Sequence, residues 1–81
     1  MTKILVNEKF GKNLQRIRSQ KRLSQAQTTA KLNVLGSPIS RSTYSLIELG
    51  RGNIYVTDLV ALQKIFDVDY AEFFKGIPYV R

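Results

Sequence analysis

The 81-residue sequence contains no cysteine and no histidine, and it has only six acidic residues. These absences exclude disulfide frameworks, thiol nucleophiles, the common zinc sites and imidazole acid–base catalysis. The few carboxylates form no close cluster of the kind that holds a hard metal ion. We therefore expect a module that is not an enzyme and that needs neither a cofactor nor a metal.

The sequence also lacks apolar runs of the roughly 18–20 residues that a membrane span requires, and it shows no secretory signal pattern. Its length suits one small domain, near the lower limit for an unaided hydrophobic core. We find no internal repeat and no interdomain linker. The expectation is a single cytoplasmic domain with an arm over residues 1–6, a helical core over residues 7–75 and a tail over residues 76–81.

Charged residues are abundant and mostly basic, with a formal net charge of +7. Residues 1–55 carry ten Lys and Arg against two acids, whereas residues 56–81 carry three against four. A basic segment of this kind favours a polyanion such as nucleic acid as a partner for one end of the domain. The alternative for charge alone is a solvated basic surface, and the series Lys9, Lys12 and Arg16 is interpreted as such a surface rather than as a phosphate rail.

Apolar residues recur at helical spacing, and residues that commonly cap helices mark the boundaries. Ser24 and Ser40 cap two of the predicted helices, Thr57 caps another, and Asp69 with Glu72 resembles a capping box for a short last helix. Five short helices with tight connections predict an all-α domain. The predicted helices begin near residues 7, 25, 41, 57 and 70, with residues 53–56 predicted to form a turn.

The predicted helix from Arg41 to Leu49 has one face that does not suit a core. Tyr44 and Ile47 point inward, whereas the opposite face is lined by short side chains and one arginine. Short residues let a helix enter the major groove, where arginine can donate to guanine and leucine can touch a thymine methyl. We therefore predict that this face contacts DNA bases through Arg41, Ser42, Ser45 and Leu46.

Phosphate contacts are predicted beside this face. Gln25 lies in the first turn of the second predicted helix, where backbone N–H groups and the helix dipole favour an anion. Thr43 and Arg51 flank the outer face of the third predicted helix. Such contacts set the register of a protein on a duplex, while base contacts read its sequence.

Three blocks of the sequence resemble the Cro/phage-repressor (Xre-like) helix-turn-helix regulators: LSQ at 23–25, SRSTYSLIELGRG at 40–52 and TDLVALQKIFDVDYAEFF at 57–74. The resemblance covers about residues 10–74. It implies a compact five-helix, phage-repressor-like domain in which the second and third helices form the helix-turn-helix. It also implies that Gln25 supports the recognition helix, and that Arg18 and Glu48 form a partly buried structural salt bridge.

The sequence departs from the family pattern at the turn before Ser40, which is about five residues longer than the usual short turn. Either the second helix gains a turn or residues 35–39 bulge as a loop, with Ile39 as the apolar plug in both cases. Thr28 and Thr29 also replace the usual Leu-Ala pair. The expected consequences are a changed tilt of the third helix and a different packing of the second.

Two hypotheses follow for function. The first is a sequence-specific, double-stranded-DNA-binding transcriptional repressor, nucleoid-associated, that binds a near-palindromic operator as a homodimer. The second is an antitoxin or adaptor-type protein-interaction module whose partner is a protein such as a toxin or an antirepressor. Large apolar residues near the C-terminus exceed what a small core needs, and they are predicted to form a dimer surface: Phe73, Phe74, Ile77, Tyr79 and Val80.

Overall fold

The computed structural model describes residues 3–79 and confirms the all-α class, with helices forming nearly all the regular structure. Four of these helices are α-helical and the last is a short 3₁₀ helix. The helices are α1 (Glu8–Gln20), α2 (Gln25–Val34), α3 (Arg41–Glu48), α4 (Val56–Phe66) and the 3₁₀ helix (Tyr70–Phe74).

Side-chain caps fix the first turns of the first three helices. The Asn7 side chain accepts a hydrogen bond from the Phe10 N–H at 2.8 Å at the start of α1. Ser24 and Gln27 form a reciprocal capping box at the start of α2, with distances of 3.0 and 2.8 Å. Ser40 caps α3. These short-range bonds satisfy N–H groups that have no partner within the helix, which is why the sequence located these boundaries.

The structure corrects three expectations about the ends of elements. The arm and the turn at residues 53–56 pair as a two-stranded antiparallel ribbon, β1 (Lys3–Leu5) with β2 (Asn53–Tyr55), in which Ile4 lies opposite Ile54. Helix α4 begins at Val56 rather than after a Thr57 cap, because the Asp58 carboxylate accepts the Tyr55 N–H at 3.2 Å. The Asp69 side chain accepts from the Ala71 N–H, so the predicted capping box is replaced by a 3₁₀ turn.

One hydrophobic core joins all the helices. It includes Phe10, Leu14 and Ile17 of α1, together with apolar residues of the other helices and of β2. Thr28 and Thr29 of α2 are buried beside this core. The Thr28 hydroxyl donates to the Ser24 carbonyl at 2.9 Å, and the Thr29 hydroxyl donates to the Gln25 carbonyl at 3.1 Å. Because their polar atoms are satisfied within the helix, the two threonines can occupy core positions.

The lengthened connection between α2 and α3 is a loop, since α2 ends at Val34. Gly36 adopts a φ of +97°, and the N–H groups of Gly36 and Ser37 donate back to the Asn33 and Leu32 carbonyls, both at 3.0 Å. This is the arrangement by which a glycine commonly ends a helix. Ile39 is 8% exposed and fills the core as the plug that the sequence predicted.

Three polar side chains brace this loop, a group that we call the loop brace (Asn33, Ser37 and Asp58). The Asn33 amide donates to the carbonyls of Ser37 at 2.8 Å and Ile39 at 3.2 Å. The Ser37 hydroxyl donates to the Asp58 carboxylate of α4 at 2.8 Å, and both side chains are buried. The loop is therefore tied to both α2 and α4, and this fixes the position at which α3 begins.

We expect Ser37→Ala to lower the free energy of unfolding by about 1–2 kcal/mol, because the buried Asp58 carboxylate loses its hydroxyl donor. Urea-induced unfolding followed by circular dichroism measures the change. Ser42→Ala is the matched control, since Ser42 is exposed on α3 and its removal should change stability by less than about 0.5 kcal/mol. Equal effects of the two substitutions would show that the brace does not stabilise the loop.

Within residues 3–79, none of the helices is both long enough and apolar enough to cross a lipid bilayer.

Candidate functional site

Helix α3 is held to the rest of the domain along one face. Tyr44 is fully buried and Ile47 is 1% exposed, as their inward phase predicted. Burial raises the pKa of the Tyr44 phenol far above its usual range, so this ring is neutral. Gly11 of α1 lies directly against the end of α3, where an added Cβ would come within 2.4 Å of the Glu48 carbonyl oxygen. Helices α1 and α3 therefore touch through their backbones at this point.

A buried charged cluster joins α1, α2 and α3. Arg18 donates from Nε to Glu48 Oε2 at 2.7 Å and from Nη2 to Glu48 Oε1 at 3.1 Å. Gln25 Nε2 donates to the same Oε1 at 3.0 Å, and Arg18 Nη1 donates to the Leu23 carbonyl at 2.8 Å. The structure thus brings together the salt-bridge pair that the family resemblance implied, and it shows Gln25 supporting α3.

The electrostatics of Glu48 reflect two opposing effects. Burial by itself would raise the pKa of its carboxyl, but the interactions with Arg18, Tyr44 and Gln25 together outweigh burial and lower that pKa below its usual value. Glu48 is consequently an anion at neutral pH. Its charge is balanced by the Arg18 guanidinium.

The opposite face of α3 is open to solvent. Arg41 and Ser42 are exposed, Leu46 is 47% exposed and Ser45 is partly exposed. The lengthened loop before α3 does not cover these residues. Thr43 is also exposed, and its backbone N–H donates to the Ser40 hydroxyl at 3.2 Å, so it belongs to the first turn of the helix.

Helix α3 ends in the same way as α2. Gly50 has a φ of +82°, its N–H donates to the Ile47 carbonyl at 2.9 Å, and the Arg51 N–H donates to the Leu46 carbonyl at 3.0 Å. This turn places the exposed Arg51 immediately beyond the last turn of α3. The predicted base-contacting and phosphate-contacting residues thus lie on α3 or next to its ends, with Gln25 in the adjoining first turn of α2.

The basic residues divide into those with an acidic partner and those without one. Lys12 pairs with Glu8 at 3.4 Å, and Arg16 pairs with Glu72 at 3.3 Å. Arg16 is therefore not a purely solvated residue, because it ties α1 to the 3₁₀ helix. Six exposed basic residues of the segment from residue 6 to residue 55 have no ion pair within the described chain: Lys9, Lys21, Arg22, Lys31, Arg41 and Arg51.

The predicted dimer surface is only partly exposed. Phe73 must be removed from it, because this ring is fully buried and lies 6.5 Å from the Phe10 ring, centroid to centroid. Ile77 is partly buried against the core. Phe74 and Tyr79 are 43% and 88% exposed, whereas Val80 lies outside the described residues.

The sequence analysis did not identify several residues that hold α3 and the C-terminal segment in place. Asn13, inside α1, donates to the carbonyls of Phe73 and Lys75, both at 2.9 Å, and so anchors the C-terminal segment. Gly11 and the loop brace were also missed. An asparagine at a core-facing helix position and a glycine within a helix were available signals, since each is unfavourable there unless packing or hydrogen bonding requires it.

Comparisons with known proteins agree with this arrangement. A helix-turn-helix family model matches residues 14–73. Among solved structures, the chain is similar to the restriction-modification controller protein C.AhdI from Aeromonas hydrophila, with a TM-score of 0.71 and 27% sequence identity. That alignment covers 83% of this chain and 94% of the controller protein. The comparison with curated proteins gave no match.

The fold, the exposed third helix and the family match define a DNA-binding helix-turn-helix protein. The chain belongs to the Xre-like (Cro/phage-repressor-like) helix-turn-helix family of transcriptional regulators.

Proposed function

We propose that this regulator recognises specific sequences in double-stranded DNA by placing α3 in the major groove. The observation that carries the proposal is the contrast between the two faces of α3. Tyr44, Ile47 and Glu48 fix one face in the core, while the other presents Arg41, small hydroxyl residues and Leu46 to solvent. A rigid helix with a slender outer face fits a groove about 12 Å wide and brings few, well-placed side chains to base edges.

Contacts to the DNA backbone complete this proposal. Gln25 lies at the start of α2, Thr43 in the first turn of α3 and Arg51 just beyond its end, and we propose that these three residues meet the phosphates on either side of the groove. The unpaired basic residues of the same half of the domain add attraction to the polyanion. Such contacts give affinity and register, and the α3 side chains give sequence preference.

We further propose that the protein acts as a repressor, in the cytoplasm at the nucleoid, and that two copies bind a near-palindromic operator. Two helix-turn-helix domains related by a two-fold axis reach half-sites about 34 Å apart. The exposed apolar residues Phe74 and Tyr79, with Val80 beyond them, are the proposed dimer surface. A bound dimer would block a promoter by occupying it, without enzymatic activity, and the likeness to a restriction-modification controller supports a regulatory role.

Selection of bound duplexes from a random DNA pool tests the proposal. We expect a consensus with two inverted half-sites separated by about one helical turn. Sedimentation of the protein with the selected duplex measures how many copies bind. A consensus without symmetry, bound by one copy, would contradict the dimeric repressor while leaving sequence-specific binding intact.

On the selected duplex, we expect Arg41→Ala to abolish most of the preference for the operator over a random duplex. Loss of one bidentate contact to a base removes about 1–3 kcal/mol of discrimination, which corresponds to roughly 5- to 150-fold. Competition binding with labelled operator and unlabelled random duplex measures the ratio.

Arg51→Ala is the matched control, because it removes the same charge from a residue proposed to touch phosphate. It should weaken binding to both duplexes similarly and reduce the slope of log K against log salt by about one. If Arg41→Ala behaves like Arg51→Ala, the assignment of Arg41 to a base contact is wrong.

A second candidate function is that of an antitoxin or adaptor, which we infer from apolar residues away from the α3 face. Val34 and Leu35 at the end of α2 are 86% and 52% exposed and line an open groove with Ile65 of α4. A protein partner such as a toxin or an antirepressor could cover this groove. A stable co-purifying partner, together with no binding to duplex DNA at low salt, would favour this function over the first.

A further inference from the structure

Helices α1, α2 and α3 end in the same hydrogen-bonding motif, in which one residue adopts a positive φ. In α1 this residue is not a glycine. In α2 and α3 the residue at positive φ is a glycine, Gly36 or Gly50. In α1 the equivalent residue is Arg22, with a φ of +58°. Its N–H donates to the Ser19 carbonyl at 3.0 Å, and the next N–H, of Leu23, donates to the Arg18 carbonyl at 3.2 Å.

An arginine at this position does not stabilise the backbone conformation. A residue with a Cβ is strained in the left-handed region, whereas glycine adopts it freely. The other non-glycine residue at positive φ among residues 3–79 is Asp67, and aspartate tolerates this region better because its short polar side chain can bond locally. Strain that persists at a long basic side chain points to a function of that side chain.

The surroundings of Arg22 leave its charge available. Arg16 and Arg18 of α1 are held by Glu72 and Glu48, whereas Arg22 is exposed and takes part in no ion pair of the described chain. Arg22 is three positions before Gln25 in the chain, so their Cα atoms are at most about 11 Å apart. Arg22 thus lies beside the residue that is proposed to contact phosphate at the start of α2.

We propose that Arg22 binds a backbone phosphate of the DNA duplex, in addition to the phosphate contact proposed for Gln25 at the start of α2. This inference rests on the proposed function, because it requires α3 to lie in the major groove with α2 against the backbone. The ligand is a phosphodiester of either strand regardless of sequence, so the contact contributes affinity and salt dependence and no base preference.

The substitution Arg22→Gly separates this role from a structural one, because its two effects have opposite directions. Glycine relieves the strain at positive φ, so we expect the midpoint of thermal unfolding to be unchanged or to rise, by up to about 4–8 °C. Affinity for a random-sequence 20-base-pair duplex should nevertheless fall about fivefold or more at 0.1 M salt. The slope of log K against log salt should decrease in magnitude by about one.

Two further variants serve as controls for charge and conformation. Lys64→Ala removes one positive charge from α4, at the groove that Val34 and Leu35 line, and so measures the effect of net charge alone. Arg22→Lys keeps the charge and the strained backbone, and it should retain most of the affinity. Fluorescence anisotropy at several salt concentrations between 0.05 and 0.2 M provides the binding constants for all four proteins.

Equal affinities and equal salt slopes for Arg22→Gly and Lys64→Ala would overturn the inference, since Arg22 would then contribute only its share of net charge. That result differs from a failure of the proposed function. In the latter case the unmodified protein itself would show no salt-dependent binding to the duplex and no selected consensus.

Discussion

We expect Arg18→Met to lower the free energy of unfolding by about 3–5 kcal/mol, one of the two largest effects of a single substitution in this domain. The Glu48 carboxylate is almost completely buried, with its side chain 4% exposed, and Arg18 is its cationic partner. Methionine preserves much of the volume of the arginine stem but leaves the anion with Gln25 alone. Breaking a buried pair by removing one partner is costly because the remaining charge is not compensated. Chemical unfolding monitored by circular dichroism measures the change.

The neighbouring pair of Arg16 and Glu72 provides the matched control. Arg16 lies on the same helix two residues earlier, and its side chain is 33% exposed against 38% for Glu72. Because solvent screens this pair, Arg16→Met should cost no more than about 1 kcal/mol. The double variant Arg18→Met with Glu48→Gln should be more stable than Arg18→Met alone, because it leaves no isolated charge. A double variant less stable than Arg18→Met would contradict this explanation.

The pH dependence of stability follows from the direction of the Glu48 pKa shift. Because folding lowers the pKa of this carboxyl, Glu48 contributes stability above its unfolded value of about 4.5, and the contribution is lost as the pH falls through the lower folded value. The destabilisation by Arg18→Met should therefore be largest near neutral pH and should shrink in acid, as the Glu48 carboxyl becomes protonated in both folded proteins. A difference that is independent of pH would show that the lost packing of the arginine stem, rather than the charge pair, causes the destabilisation.

We expect Gly50→Ala to be comparably destabilising, by about 3 kcal/mol or more, through two separate effects. Gly50 has a φ of +82°, a conformation that costs a residue with a Cβ about 1–2 kcal/mol. The added Cβ would also lie 2.4 Å from the Glu8 Cα at the start of α1, so the backbones must separate. Since α3 ends at this contact, we also expect weaker DNA binding. Thermal unfolding and duplex binding measure the two consequences.

Gly36→Ala measures the first effect, the cost of a positive φ, by itself. Gly36 has a similar φ of +97°, but an added Cβ there meets no atom within 4 Å. In this variant the free energy of unfolding should fall only by the cost of the positive φ, about 1–2 kcal/mol. The additional destabilisation in Gly50→Ala should therefore measure the cost of separating the backbones of α3 and α1. If the two variants are equally stable, the tight contact at Gly50 relaxes without cost.

Much of the fold and of the candidate site could be predicted because the deciding interactions are local. Caps such as Ser24 and Ser40 bond to groups three residues away, and the inward phase of Tyr44 and Ile47 follows from helical periodicity. Because Tyr44 and Ile47 point inward, the residues on the opposite side of α3 are the exposed ones. The match between three ordered sequence blocks and the Xre-like pattern then implied the Arg18–Glu48 pair, although the two residues are 30 positions apart.

The errors concern contacts between distant segments. Three-residue strands such as Lys3–Leu5 carry almost no periodic signal, and they form because Asn53–Tyr55 lies alongside. Arg16 and Glu72 are 56 positions apart, and their pairing depends on where the 3₁₀ helix docks. Phe73 and Phe74 are chemically identical neighbours, yet the first is fully buried and the second is 43% exposed. Only the direction in which that helix packs on α1 distinguishes them.

The sequence by itself determined the class of the protein: a basic, helical, Xre-like regulator with its recognition helix at residues 41–48, since caps, periodicity and charge act over a few neighbouring residues. The tertiary structure alone decided how α3 is held and presented. Gly11 in α1 and Gly50 after α3 let the backbones of these two helices approach closely, the loop brace fixes the start of α3, and Arg22 is left without an ion pair at a strained turn. These properties depend on the packing of elements that are distant in the chain, and no local pattern encodes them.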